Sequence, residues 1–244
     1  MTTICCPELF TQQPHHPELN EKFHSHSQEN ISNVLFWNDI YRRLATEEVE
    51  FDTIVECGVG RGRSLITLAA IREYYEKLNL LKSPISIYGL DSFEGFPKPS
   101  IEDASWRNPK AGEWSHSPSG NLKYTPDLIL EIFRNANVST SNLELVKGFF
   151  NDTTPFLAAK EIRIGILHCD GDLYHSVKSP LDNLNGKIAI GGVIVFDDFL
   201  ENGNEENDAF PGARKAFNEF ISSNADSYEK IWSPRGNVIL KKTA

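Results

Sequence analysis

The chain has 244 residues, 40% hydrophobic and 24% charged, which suits one packed α/β domain with extensions and excludes wholesale disorder. Its formal net charge of −10 argues against nucleic acid as a main partner, because binding phosphates needs a basic face. No apolar run approaches the roughly 18 residues of a membrane span, and the N-terminus lacks a basic flank with an apolar core, so neither a span nor a signal peptide is expected.

The four cysteines are Cys5, Cys6, Cys57 and Cys169. None has the spacing of a zinc site or a secreted disulfide framework, which fits a reducing cytoplasm. Residues 1–27, with Pro7, Pro14, Pro17, His15, His16, His24 and His26, read as a flexible N-terminal arm; metal binding by its histidines is the alternative. From Asn30 to about Glu48, apolar residues recur at three- and four-residue steps, which predicts an amphipathic helix covering the sheet. Within it Phe36 and Trp37 read as packing residues rather than ligand stackers.

Phe51 to Cys57 reads as the first strand and runs into Gly58-Val59-Gly60-Arg61-Gly62-Arg63-Ser64 and a helix from Leu65 to about Glu76. The spaced glycines let the backbone approach a ligand, and the helix start behind them offers unpaired N–H groups. The turn is neither a P-loop nor the strict dinucleotide fingerprint. A second strand, Ile85 to Leu90, ends at Asp91, where an acid can grip a ribose diol; a helix cap is the alternative. Residues 92–123, with Trp106 and Trp114, read as a lid-like insertion. A helix from Thr125 to about Asn135 and a strand Leu143 to Val146 follow, then a strand-end loop Gly148 to Asp152. There Asn151 suits an adenine edge, and the Phe149-Phe150 pair suits either ring stacking or core packing.

Two further apolar runs end in carboxylates. Ile162 to Leu167 leads into Asp170 and Asp172, and Val193 to Phe196 leads into Asp197 and Asp198. Acids that end buried strands sit at the sheet's carboxyl edge, where open α/β sheets bind ligands. Carboxylates held that close raise one another's pKa unless a cation lies between them, and Mg²⁺ is the hard cation of choice. His168 is left in the core, on the expectation that a regularly alternating strand turns it away from the ligand side of Asp170. Asp172 is either a proton acceptor or a cap for the helix that starts near Tyr174, and Tyr174 and His175 are candidate substrate contacts. That helix runs from about His175 to Asn185. Residues 199–211 form an acidic loop, Pro211 opens a helix to about Ser222, and Glu229–Trp232 with Asn237–Lys241 reads as a closing hairpin. One domain over 28–244 is expected; the arm and the acidic loop 201–208 are candidate contacts of a homo-oligomer.

Strands alternating with helices plus a terminal hairpin is the order of a class I methyltransferase: a Rossmann-like, seven-stranded, mostly parallel sheet flanked by helices. Glu56, two residues before the first glycine, suits the methyltransferase form of the turn, which holds the amino-acid end of S-adenosylmethionine. Val55-Glu56-Cys57-Gly58-Val59 with Arg61-Gly62, Leu90 to Pro97, Cys169 to Tyr174, and Gly191-Gly192 through Asp198 together resemble one family across about residues 30–240. It is the macrocin, mycinamicin and novobiocin type of sugar O-methyltransferase, dependent on S-adenosylmethionine and Mg²⁺. The resemblance implies metal ligands at Asp170, Asp197 and Asp198 and cofactor contacts at Glu56, Cys57, Gly58, Ser64, Asp91, Ser92, Phe93, Asn151 and Asp170. It implies methyl transfer to a hydroxyl of a sugar or glycosylated small natural product, for which Asp170 or Asp172 is the candidate catalytic proton acceptor. N-methylation of an amino sugar and a non-catalytic cofactor-binding module are the alternatives. Gly60 departs from the family, whose members often carry a bulky aromatic there.

Overall fold

The computed structural model describes residues 19–82, 84–200, 208–231 and 237–244, with side chains described from Ile31 onward except at 198–200. Helix α1 spans Leu19–Thr46, so nine residues of the expected arm, 19–27, are helical, and residues 1–18 and most of the acidic loop lie outside the described residues. The elements that follow are β1 (Thr53–Cys57), α2 (Arg63–Lys77), β2 (Ser86–Asp91), α3 (Pro126–Asn135), β3 (Leu143–Lys147) and α4 (Phe150–Ala158). Next come β4 (Ile164–Cys169), α5 (Tyr174–Leu184), β5 (Ile188–Leu200), α6 (Pro211–Asn224), β6 (Tyr228–Lys230) and β7 (Asn237–Lys242).

Helix α4 has no counterpart in the sequence reading. Its nine residues carry an internal Pro155 and two threonines, too short and too poor in helix formers for a clear helical period. Other boundaries follow local chemistry. Gly62, at φ 81°, turns the chain into α2, and Thr125 caps α3, its hydroxyl accepting the Leu128 N–H at 3.2 Å.

The strands form one seven-stranded sheet in the order β3-β2-β1-β4-β5-β7-β6. β1 to β5 pair in parallel, while β7 runs antiparallel to both β5 and β6, as expected of the closing hairpin. β1 and β4 are buried at every position, as central strands with helices on both faces should be. On one face, Phe36, Trp37, Ile40, Tyr41 and Leu44 of α1 pack with α2 and α3 over Ile54, Ile166, Val193 and Val195. On the other, residues of α4, α5 and α6 pack over Val55, Cys57, Leu167, Cys169, Ile194 and Phe196. The strand order reverses between β1 and β4, and the crevice at their carboxyl ends is where such sheets take ligands. No helix among the described residues is long and apolar enough to cross a membrane.

Candidate functional site

A cleft of about 1230 Å³ opens at that edge, lined by the turn from Gly58 to Ser64, by Asp91 and Ser92, by Phe149 to Asn151, and by Asp170 to Asp172. The space exceeds the roughly 300–1,000 Å³ of ordinary small-molecule sites. Gly58, at φ +106°, is required by contact as well as by conformation: a Cβ there would run into the Asp170 carbonyl. The Asp170 N–H donates to the Cys57 carbonyl at 2.9 Å and so ties the end of β4 to the start of the glycine turn. Asp91 braces the same turn from the other side. One of its oxygens accepts the Gly60 N–H at 2.9 Å and the other accepts the Phe93 N–H at 2.7 Å. Burial raises the Asp91 carboxyl above its ordinary range, and these backbone donors pull it partly back. A Cβ added at Gly60 would meet nothing within 4 Å, so the cleft is wider here than an aromatic side chain would leave it.

Beside the turn, a ring nitrogen of His168 and a carboxylate oxygen from each of Asp170 and Asp197 lie within 4.8 Å of one another. Burial, then the adjacent Asp197, holds the Asp170 carboxyl well above the usual carboxylate range, the condition that a cation relieves. Asp197 in turn accepts a bond from the Asn237 side-chain amide at 3.3 Å. Behind this group, Glu56 is wholly buried and its Oε1 sits 3.0 Å from Nδ1 of His168. The two are lateral partners across β1 and β4. Burial lifts the Glu56 carboxyl, with His168 opposing; burial of His168 is in turn outweighed by Glu56, so the imidazole's pKa rises.

The expectation that strand alternation turns His168 away from Asp170 is corrected: residues two apart on a strand share a face. Ile166 belongs to the core cluster of the α1 face, and His168, packed edge-on against Trp37 of α1, follows it onto that face.

Of the expected cofactor contacts, Gly58, Ser64, Asp91, Ser92, Asn151 and Asp170 line the cleft. Glu56, Cys57 and Phe93 are not among its lining residues. Glu56 is fully buried and joined to His168. Cys57 lies in the core, and its carbonyl is taken by Asp170. Phe93, at φ 52°, turns its ring into the core and offers its N–H to Asp91. Asn151 sits on the first turn of α4 instead of a strand-end loop. Asp197 stands in the acidic group, while the Asp198 side chain lies outside the described residues.

Asp172 lines the cleft at φ 61° but is not the cap of α5, which begins after Leu173. The first N–H of that helix, Tyr174, donates instead to Asp103 Oδ1 at 2.7 Å, across 71 residues of sequence. Asp103 closes a single helical turn, Ile101–Asp103, in the insertion, where it also accepts the Ser100 N–H at 2.7 Å. Ser105 Oγ donates to the Ala209 carbonyl at 2.8 Å and fixes the insertion's next residues to the approach of α6. The insertion then contributes Gly95, Phe96, Pro97, Lys98, Trp114 and Pro118 to the cleft wall. Arg107, held by Glu113 at 2.7 Å, stacks its guanidinium near Phe96, Trp114 and Phe210. Of the two candidate substrate contacts, His175 lines the cleft, whereas the Tyr174 hydroxyl donates to Glu219 at 2.8 Å. Nothing in the sequence spacing marked Asp103, because its partner is distant along the chain.

The chain is similar to known proteins in sequence and in fold. Residues 34–225 match the family model described as Macrocin-O-methyltransferase (TylF). The demethyldecarbamoylnovobiocin O-methyltransferase of Streptomyces niveus is 29% identical over 147 residues, 60% of this chain and 52% of that protein. The mycinamicin III 3''-O-methyltransferase of Micromonospora griseorubida is 24% identical over 194 residues, 78% of this chain and 68% of that protein. The match thus spans about half the length of the novobiocin relative. Among solved structures, the calicheamicin methyltransferase CalS11 superposes with a TM-score of 0.69 at 25% identity, covering 96% of this chain and 89% of that one. The O-methyltransferase NovP gives 0.68 at 24% identity, covering 88% and 81%, a likeness of fold. With a seven-stranded class I methyltransferase sheet, a glycine turn at its switch point and a family match running from α1 to the end of α6, the chain belongs to the macrocin O-methyltransferase family.

Proposed function

We propose that the protein transfers a methyl group from S-adenosylmethionine to a hydroxyl of a sugar or glycosylated small natural product, with a divalent cation at Asp170, Asp197 and Asp198. The supporting observation is that the glycine turn and Asp170 line the same cleft and touch each other through Gly58. A cofactor at the turn and an acceptor at the acids would therefore share one chamber. The relatives' names supply the acceptor class: the novobiocin and mycinamicin enzymes are named as O-methyltransferases, and a third, from Streptomyces olivaceus, as a 4'-O-methyltransferase of a rhamnosyl-tetracenomycin.

The bound cofactor supplies an electrophilic sulfonium methyl and the cation, Mg²⁺ by resemblance, a Lewis acid. The chain's own task is geometric, since alignment of nucleophile and methyl can contribute roughly 7–11 kcal/mol. Backbone N–H groups of the turn, with Ser64, would hold the amino-acid end, and Asp91 the ribose hydroxyls. Asn151 would meet the adenine edge, with Phe149 or Phe150 against the ring. Asp170 and Asp197 would fix the acceptor's direction by holding the ion, and an oxygen of Asp172, at the cleft wall, would take the hydroxyl proton. Trp114, Phe96 and Tyr124 give the cleft wall apolar surface.

Asp197→Asn, which keeps shape and loses charge, should lower turnover at least 100-fold, about 2.7 kcal/mol. Affinity for S-adenosylhomocysteine by titration calorimetry should stay within about threefold. Methyl transfer to a sugar hydroxyl that is full in this variant and indifferent to EDTA would overturn the proposal.

A further inference from the structure

We propose that His168, oriented by Glu56, is a nitrogen donor to the ion at the acidic group, so that the site favours a transition-metal ion such as Mn²⁺ over Mg²⁺. This rests on the proposed cation site and concerns which ion it takes.

The three oxygens-and-nitrogen separations, all within 4.8 Å, are small enough for one ion to lie among His168, Asp170 and Asp197. His168 is 1% exposed, and among the described residues its Nε2 has no hydrogen-bond partner. Its Nδ1 is engaged by Glu56 at 3.0 Å. In a neutral imidazole only one nitrogen carries the proton, and a carboxylate accepts. A proton on Nδ1 facing Glu56 leaves the Nε2 lone pair available to a metal. Trp37, edge-on at 4.8 Å between ring centroids and 75° between planes, fixes the ring's plane from the other side. A carboxylate–histidine pair that sets the tautomer behind a metal is a recurrent outer-shell arrangement. A histidine serving only as packing would leave a buried ring nitrogen without a hydrogen-bond partner beside two acids, an unusual state for a native interior.

The donor chemistry follows. Mg²⁺ takes oxygen ligands and keeps several waters, whereas an imidazole nitrogen is a better ligand for first-row transition ions than for Mg²⁺, Mn²⁺ being the weakest binder of that series. The carboxylates alone do not distinguish these ions by donor type; the nitrogen does.

The test uses the full chain titrated with MnCl₂ or MgCl₂, followed by pulsed electron paramagnetic resonance of the Mn²⁺ complex. A directly bound imidazole should give nitrogen modulation in the wild-type spectrum. His168→Gln should abolish that modulation and weaken Mn²⁺ binding by about tenfold or more. Its Mg²⁺ affinity should move by less than about threefold. Glu56→Gln, which keeps the side-chain shape, should weaken Mn²⁺ binding by about tenfold without removing the modulation. Stoichiometric Mn²⁺ with no nitrogen modulation in the wild type overturns the assignment, as does equal loss of both ions in His168→Gln. Failure of both ions to bind the wild-type chain overturns the cation site itself, and the titration alone reveals that before any spectrum is recorded.

Discussion

At the scale of single residues, the site is assembled by carboxylates whose backbone partners matter as much as their charge. Asp91 holds the Gly60 and Phe93 N–H groups at 2.9 and 2.7 Å while facing the cleft. Its removal therefore frees the turn as well as the ribose position. Asp91→Ala should reduce affinity for S-adenosylhomocysteine by about 1.5–3 kcal/mol, the range for a hydrogen bond to a charged group. That is roughly 10- to 150-fold in Kd by calorimetry. Asp91→Asn, which retains one acceptor oxygen for the loop, should fall between. An Ala variant with wild-type affinity would reject the ribose assignment. Gly58 shows the same economy: its positive φ and its contact with the Asp170 carbonyl both forbid a side chain, so one position sets the distance between turn and acid.

At the scale of elements, the insertion between β2 and α3 is fastened to the second half of the fold through one buried carboxylate. Asp103 takes the first N–H of α5, and a Cβ at Gly212 on α6 would collide with it. An acid at a helix start also meets the positive end of the helix dipole. Asp103→Ala should destabilise the protein by about 1–3 kcal/mol, combining a lost cap with a buried donor left unpaired. Urea denaturation reads that loss as a lower midpoint with unchanged slope. Since Phe96, Lys98 and Trp114 of the same insertion line the cleft, KM for the acceptor should rise in the variant more than affinity for the cofactor falls. An unchanged midpoint would show that Asp103 does not anchor the segment.

At the scale of the whole molecule, the sheet carries two separate apolar clusters, and α1 is a main cover of one. Phe36, Trp37, Ile40, Tyr41 and Leu44 are each at most 3% exposed. At about 1.5–3 kcal/mol for each buried side chain, their combined contribution is comparable to the about 5–15 kcal/mol net stability of an ordinary domain. The Tyr41 hydroxyl also donates to the Leu68 carbonyl at 2.8 Å, joining α1 to α2. Deleting residues 1–46 should therefore yield insoluble or molten protein, read by near-ultraviolet circular dichroism and the soluble fraction after expression. A deletion variant with a cooperative thermal transition would show that the cover is dispensable. Trp37 gives the face a second consequence, because the same helix that seals the core also supports the ring of His168.

The sequence by itself determined the sheet and its edge. Apolar runs ending in Glu56-Cys57-Gly58, Asp91, Asp170 and Asp197 are local patterns, and short continuous apolar runs bounded by turn residues declare buried strands without reference to distant partners. The glycine turn and the acids at strand ends were legible for the same reason, and the family resemblance rests on those stretches. Only the tertiary structure decided what depends on a partner remote in the chain. Glu56 pairs with His168 across 112 positions and so stands behind the acidic group. Asp103 displaces Asp172 as the cap of α5 because the insertion folds back over that helix start. Helix α4 was missed because Pro155 and the adjacent threonines give it no strong period, and packing against α5 outweighs that weak propensity. Spacing along the chain sets which side chains reach the sheet's edge; the neighbours they find there are set by how the strands are ordered.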